Sequence, residues 1–208
     1  RQETRQPAEL ALRDPQNRLL MCLPRLRLPA EQLRDQALAV AGLLQPGCGG
    51  PSVFPPQPAD YWEERDLPGK WIPSPGADQY RKSLYTYWRR MALHPSLELL
   101  DAPSRAVCTV RRNTANLPTQ ALVTLNDPIF VQAARGFADR LLRDVPDSDD
   151  ARLRWAFQRA LGRDPVPAEL GRFRDFLAQA RAQHGDAPAT WTAIATILMN
   201  LDEFLCRP

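Results

Sequence analysis

The sequence predicts an all-α fold, on three observations. Apolar residues recur at helical spacing in successive stretches, and prolines and glycines stand where those stretches begin and end. No run alternates apolar and polar residues as a half-buried strand does. The expected architecture is a helical domain with a long, ordered Pro/Gly-rich loop and a C-terminal three-helix bundle.

Residues 1–28 read as a lead-in, with a short turn of helix at Ala8 to Arg13 and a break at Asp14-Pro15. The first long helix runs from Pro29 to Gln45. Pro29 suits the first helical position, and Leu33, Ala37, Val40, Ala41 and Leu44 form one stripe. Pro46 and Gly47 are expected to end it. Residues 46–77 hold eight prolines and five glycines, which forbids a long helix. They also hold Phe54, Tyr61, Trp62, Trp71 and Ile72, too many large apolar groups for a disordered linker. An ordered loop packed by its aromatics is expected, with Trp62 and Trp71 as anchors and a short hairpin near Leu67 to Ile72.

Helix is expected again at Asp78 to Ala92, with Tyr80, Leu84, Trp88 and Met91 on one face, then a short turn at Ser96 to Leu100. Residues 101–117 read as an irregular polar crossing, and Pro118 to Leu125 as a short helix. Asp127-Pro128 pairs a cap with a first-turn proline and opens the next helix, lined by Phe130, Ala134, Phe137 and Leu141. Three more helices follow. One is capped by Ser148 or Asp149 and stopped by Gly162; the others start at Pro167 and Pro188. The expected organisation is a helical core over 1–145, containing the loop and the crossing, and a helical bundle over 146–208 packed on it as one structural unit.

Composition narrows the function. Lys70 and Lys82 are the only lysines among 27 basic residues, so 25 are arginine. A GC-rich genome accounts for such a bias, as it does for 21 prolines. A net charge of +3 is too small for the dense basic face of a nucleic-acid binder. No apolar run is long enough to cross a bilayer. The spacings of Cys22, Cys48, Cys108 and Cys206 match no metal or haem pattern and leave their pairing open. His94 and His184 stand in no metal-binding spacing. No metal site or cofactor is expected.

The densest polar stretch is Asp101 to Asp127. Arg105, Arg111, Arg112, Asn113, Asn116, Gln120, Asn126 and Asp127 are the side chains that hold carboxylates, sulfates or sugar hydroxyls. The competing reading is that they cap helices and satisfy backbone where the crossing runs through the domain interior. Tyr85 and Arg89, four apart, could stack on a sugar, or could simply flank the buried face of an amphipathic helix. The acids Glu63, Glu64, Asp66, Asp202 and Glu203 show no pairing that would identify a glycosidase.

Five segments taken together carry a resemblance: NRLLMCLPRLRLPAEQLRDQALAVAGLL (17–44), GGPSVFPPQP (49–58), YRKSLYTYWRR (80–90), DAPSRAVCTVRRNTANLPTQALVTLNDPIFVQAAR (101–135) and LMNLDEF (198–204). In that order they resemble the C-terminal domain of unknown function of large planctomycete surface proteins that often carry a cytochrome-c-like domain. The resemblance implies an exported, multidomain protein, extracellular, at the cell surface or periplasmic, with a helical domain preceding this one. It implies a structural or binding module in polysaccharide capture or degradation beside a cytochrome c domain. The alternative is part of an active site, carbohydrate-directed or redox, completed by the preceding domain. The family has no catalytic residues to carry over. Cys108 lies in the family motif, whereas Asn113 to Thr119 departs from it, a threonine commonly standing where this chain has Leu117. The lead-in leucines Leu10, Leu12, Leu19 and Leu20 are the expected apolar patch toward the preceding domain.

Overall fold

In the computed structural model the described residues are 8–16, 18–19, 26–58, 61, 70–89, 92–145, 148–185 and 188–207. They fold mainly as helices: α1 (Ala8–Arg13), α2 (Ala30–Ala41), α3 (Pro95–Leu99), α4 (Pro118–Asn126), α5 (Pro128–Asp144), α6 (Asp149–Leu161), α7 (Pro167–His184), α8 (Pro188–Asn200) and α9 (Asp202–Leu205). Two short strands, β1 (Leu26–Arg27) and β2 (Cys206–Arg207), pair antiparallel with Leu26 opposite Arg207.

Helices α5 and α8 form the centre. α2 packs on the outer side of α5, while α6 and α7 pack on α8 and on each other. The three helices of the expected C-terminal bundle therefore do pack together, and α8 also lies along α5. One core runs from Ala30 to Leu205, built around Phe137, Phe157, Trp191, Ile194 and Leu198, all fully buried. Small residues on α5 let the helices approach closely: a Cβ added at Gly136 would stand 3.1 Å from the Leu43 side chain.

The caps follow the sequence in most places. The Asp127 carboxylate accepts from the Ile129 amide and the Ser148 hydroxyl from the Ala151 amide, each closing a helix start. Gly162, with φ at +69°, ends α6 in the left-handed turn that glycine adopts without strain. Two boundaries differ from expectation. α2 stops at Ala41 because Gly42, at φ +75°, turns its amide back to Ala39 and Leu38. The last helix is split at Leu201 into α8 and α9.

The helix expected at Asp78 to Ala92 is not present. Residues Gly76–Tyr80 and Ser83–Tyr85 make tight 3-10 turns, followed by extended chain. Its backbone groups are engaged elsewhere. Arg34 and Asp35 of α2 bind the carbonyls of Gln79 and Arg81 and the amide of Ser83. Gln45 donates to the Tyr80 carbonyl, and Val53 exchanges hydrogen bonds with Tyr85 and Tyr87. With those groups paired outside the segment, Leu84 points to solvent, 76% exposed.

The described parts of the Pro/Gly-rich loop are held by their aromatics. Phe54 stacks on Tyr87 with ring centroids 4.7 Å apart, and Trp71 meets Phe54 edge-on at 5.0 Å. The Trp71 indole donates to the Pro55 carbonyl at 2.7 Å, and Ser74 bonds Phe54 through both amide and hydroxyl. Trp62, Met91 and residues 67–69 of the expected hairpin lie outside the described residues, and its residues 70–72 form no strand.

Candidate functional site

Beneath the proline-rich segment lies a buried polar centre built by three elements. α2 contributes Arg34, the turn into α3 contributes His94 and Ser96, and the start of α5 contributes Asp127, all nearly inaccessible to solvent. Arg34 donates to the carbonyls of Gln79 at 2.6 Å and Arg81 at 2.8 Å, and to the Ser83 hydroxyl at 3.2 Å. Burial lowers its pKa to about 10, with the charges of Asp35 and Asp127 opposing that shift, so it stays cationic at neutral pH.

Asp127 uses both oxygens. One accepts from the Ile129 amide at 2.9 Å and the other from the Ser96 hydroxyl. Burial raises its pKa, while these hydrogen bonds and the Arg34 charge pull it back. His94 lies 3.1 Å from the Pro56 carbonyl through Nε2, and a carbonyl only accepts, so Nε2 carries the proton. Burial pushes the His94 pKa down to about 4, the Pro56 bond opposing and Arg34 reinforcing the shift.

These groups surround a cavity of about 10 Å³, closed by Pro55, Leu97, Ile129 and Phe130. A serine, a histidine and an aspartate thus meet in one place, but not as a nucleophilic relay. Such a relay needs the histidine to take the serine proton and the acid to orient the histidine. Here Ser96 donates directly to Asp127 and His94 is held by a backbone carbonyl. The cavity has room for nothing larger than a water. The centre is a structural lock between α2, α3, α5 and the 79–83 turn.

The candidate residues of the crossing do not converge. The crossing runs over the surface, contrary to the expectation of an interior path. Asp101, at φ +65°, turns the chain outward, and its carboxylate accepts from the Ala115 amide at 2.7 Å and the Gln120 side chain at 2.9 Å. The carboxylate thereby closes residues 101–115 into a loop with its tip in solvent, where Val110 is fully exposed. Arg105 lies with its guanidinium 3.9 Å over the Trp88 ring. Arg112 pairs with Glu31 at 2.9 Å, and Arg111 and Asn113 are exposed. Asn116 accepts from Arg27, and Asn126 bonds the Leu122 carbonyl of its own helix. Only Gln120 and Asp127 point inward. Tyr85 and Arg89 do not share a helix face; the cation over the Tyr85 ring is Arg81, at 4.1 Å, and the Tyr85 hydroxyl accepts from the Gly49 amide.

Several organising residues escaped the sequence reading. Arg34 carried a signal, a lone cation on the apolar stripe of α2 beside Leu33 and one turn before Ala37 and Leu38. His94 and Ser96 carried none. Arg163 forms a two-pronged clamp, binding Glu169 and Glu203 through four hydrogen bonds of 2.6–2.8 Å. Arg174 and Arg181 of α7 bind Asp150 and Asp149 of α6.

Among the described residues no group of three or more His, Cys, Asp or Glu could hold a metal ion, and no helix is long and apolar enough to cross a membrane. Cys48 and Cys108 are free thiols, and Cys22 lies outside the described residues. No curated protein and no solved structure matches the chain. Residues 1–177 match the family model described as PSD1, protein of unknown function (DUF1553), and α8 lies beyond the matched stretch. The chain belongs to that PSD1 family of unknown function (DUF1553).

Proposed function

We propose that the chain is a non-catalytic structural or binding module of an exported multidomain surface protein, serving polysaccharide capture or breakdown beside a cytochrome c domain. One observation carries the non-catalytic part. The Ser96, His94 and Asp127 centre is buried and bonded to the fold, while the exposed polar candidates sit on the 101–115 loop. That loop carries Arg111, Asn113 and the Glu31-paired Arg112 at the surface, and the same loop lays Arg105 over the Trp88 ring. Exposed guanidinium and carboxamide groups are suited to sulfated or carboxylated sugars. The surface location, the polysaccharide and the cytochrome partner rest on the family resemblance of the five sequence segments.

The test is depletion of the full chain from solution by an insoluble sulfated polysaccharide, with its desulfated form as control. The expected result is salt-sensitive retention that Arg111→Ala and Arg112→Ala together weaken at least about tenfold. Equal behaviour on both matrices overturns the binding role. Release of reducing ends on mixing with the preceding helical domain would instead make the chain part of an active site.

A further inference from the structure

Arg34 is 4% exposed, and its two terminal nitrogens are taken up by the Arg81 and Gln79 carbonyls and the Ser83 hydroxyl. Its third nitrogen, Nε, is buried without a hydrogen-bond partner, and so is the Thr86 hydroxyl. Both residues line the cavity of about 10 Å³ that His94, Ser96 and Asp127 also border. A buried N–H or O–H without a partner has given up its hydration for no return. Across the same cavity Arg34 and Asp127 carry opposite charges and act on each other electrostatically. Yet they do not touch: the ion pair of Arg34 is with Asp35, at 3.6 Å, while the Asp127 carboxylate is bonded to Ile129 and Ser96.

We propose that this cavity is a binding site for a single water molecule, which bridges the Arg34 cation to the Asp127 anion and ties Thr86 to both. A buried water needs about 10–15 Å³ of such space and two to four polar partners. The cavity supplies the space, and Arg34 Nε, Thr86 Oγ1 and Asp127 supply the partners. Donors and acceptors balance. The water oxygen accepts from the Arg34 Nε–H and the Thr86 O–H, and one of its protons goes to a carboxylate lone pair that Ser96 and Ile129 leave over. The charges select a neutral ligand, because a cation would face Arg34 and an anion would face Asp127. A contact between opposite charges that stops short of touching is where a bridging water belongs. Thr86 pairs with Val53, so the water joins the proline-rich segment to α2 and α5. This inference is independent of the polysaccharide reading.

Nuclear magnetic resonance of the full chain tests it. The Arg34 Nε–H should show a dipolar cross-peak with a water that stays longer than the molecule takes to tumble. Thr86→Val keeps the shape and removes the hydroxyl. The cross-peak should survive in it, while the residence time falls at least about fivefold, the effect of one lost hydrogen bond. Thr86→Leu fills the space, and oxygen-17 relaxation dispersion should then count one long-lived water fewer than in wild type. Should the leucine variant fail to fold, the cross-peak in wild type and in Thr86→Val decides alone. A wild-type chain without the cross-peak overturns the proposal and makes the cavity dry. So does a cross-peak that disappears in Thr86→Val, because the signal then came from a hydroxyl bonded directly to Nε. A water count that Thr86→Leu leaves unchanged overturns it too, and puts the long-lived water elsewhere.

Discussion

The guanidinium of Arg34, within helix α2, donates to the backbone carbonyl of Arg81, 47 residues away, at 2.8 Å. Arg34 also holds the Gln79 carbonyl, so one side chain replaces the hydrogen bonds a helix through residues 78–83 would have made. Replacing Arg34 by Met should therefore leave two buried carbonyls and the Asp127 charge without their partner. A loss of about 3–5 kcal/mol is expected in urea denaturation, with faster proteolysis between Gly76 and Arg89. Arg34→Lys keeps the charge but cannot span both carbonyls, and should fall between the two. Wild-type stability in Arg34→Met would show that the turn holds itself.

The buried His94 makes stability depend on mildly acid pH. Its pKa falls from 6.5 in the unfolded chain to about 4 in the fold, so the unfolded state takes up a proton first. Stability is lost as pH falls from about 6.5 to about 4, amounting to about 3 kcal/mol. Asp127 has the opposite sign: its raised pKa makes the fold the better proton acceptor and returns part of the loss at the acid end. His94→Asn can still donate to Pro56 and does not titrate. The stability difference between it and wild type should change across this window; a constant difference would contradict the assignment.

Asp101 closes the exposed loop at its base, so its removal should matter more than that of the arginines beyond it. Asp101→Ala loses the bonds to Ala115 and Gln120 and puts a methyl side chain at φ +65°. A cost of about 2–3 kcal/mol is expected. Arg111→Ala and Arg112→Ala should each stay within about 1 kcal/mol, because both are exposed. Thermal melting of the three variants would reveal the reverse order if the loop were held from its tip.

Arg163 grips Glu169 at the start of α7 and Glu203 on α9 with both edges of its guanidinium. Arg163→Lys retains a charge and loses the fork. It should cost about 1–2 kcal/mol in low salt and less in concentrated salt. A cost unaffected by salt would point to the guanidinium's position over the Phe157 ring instead.

The long helices were legible because their determinants are local. Pro128 and Asp127, Ser148 and Gly162, and the apolar rows of α5 and α6 lie within the elements they define. Residues 78–92 misled because Tyr80, Leu84 and Trp88 happen to fall four apart, while the groups that prevent a helix, Arg34 and Asp35, belong to α2. The crossing misled for a related reason. One reading of its polar groups, that they satisfy backbone in the domain interior, fails because the Asp101 bond to Ala115 makes the crossing a surface loop. Of the candidate site, Gln120 and Asp127 are buried and bonded, and the rest are spread over the surface. The centre that Asp127 belongs to depends on Arg34, His94 and Ser96, which are joined only by folding.

Helix α8 lies against α4, α5, α6 and α7, and every one of them precedes it in the chain. During vectorial synthesis, the faces that Trp191, Ile194 and Leu198 cover remain open until those residues leave the ribosome. The nascent chain is then a set of amphipathic helices without their common partner, a state that attracts holding chaperones and proteases. Premature termination before Pro188 would accordingly yield a polypeptide destined for degradation, not a shorter working domain.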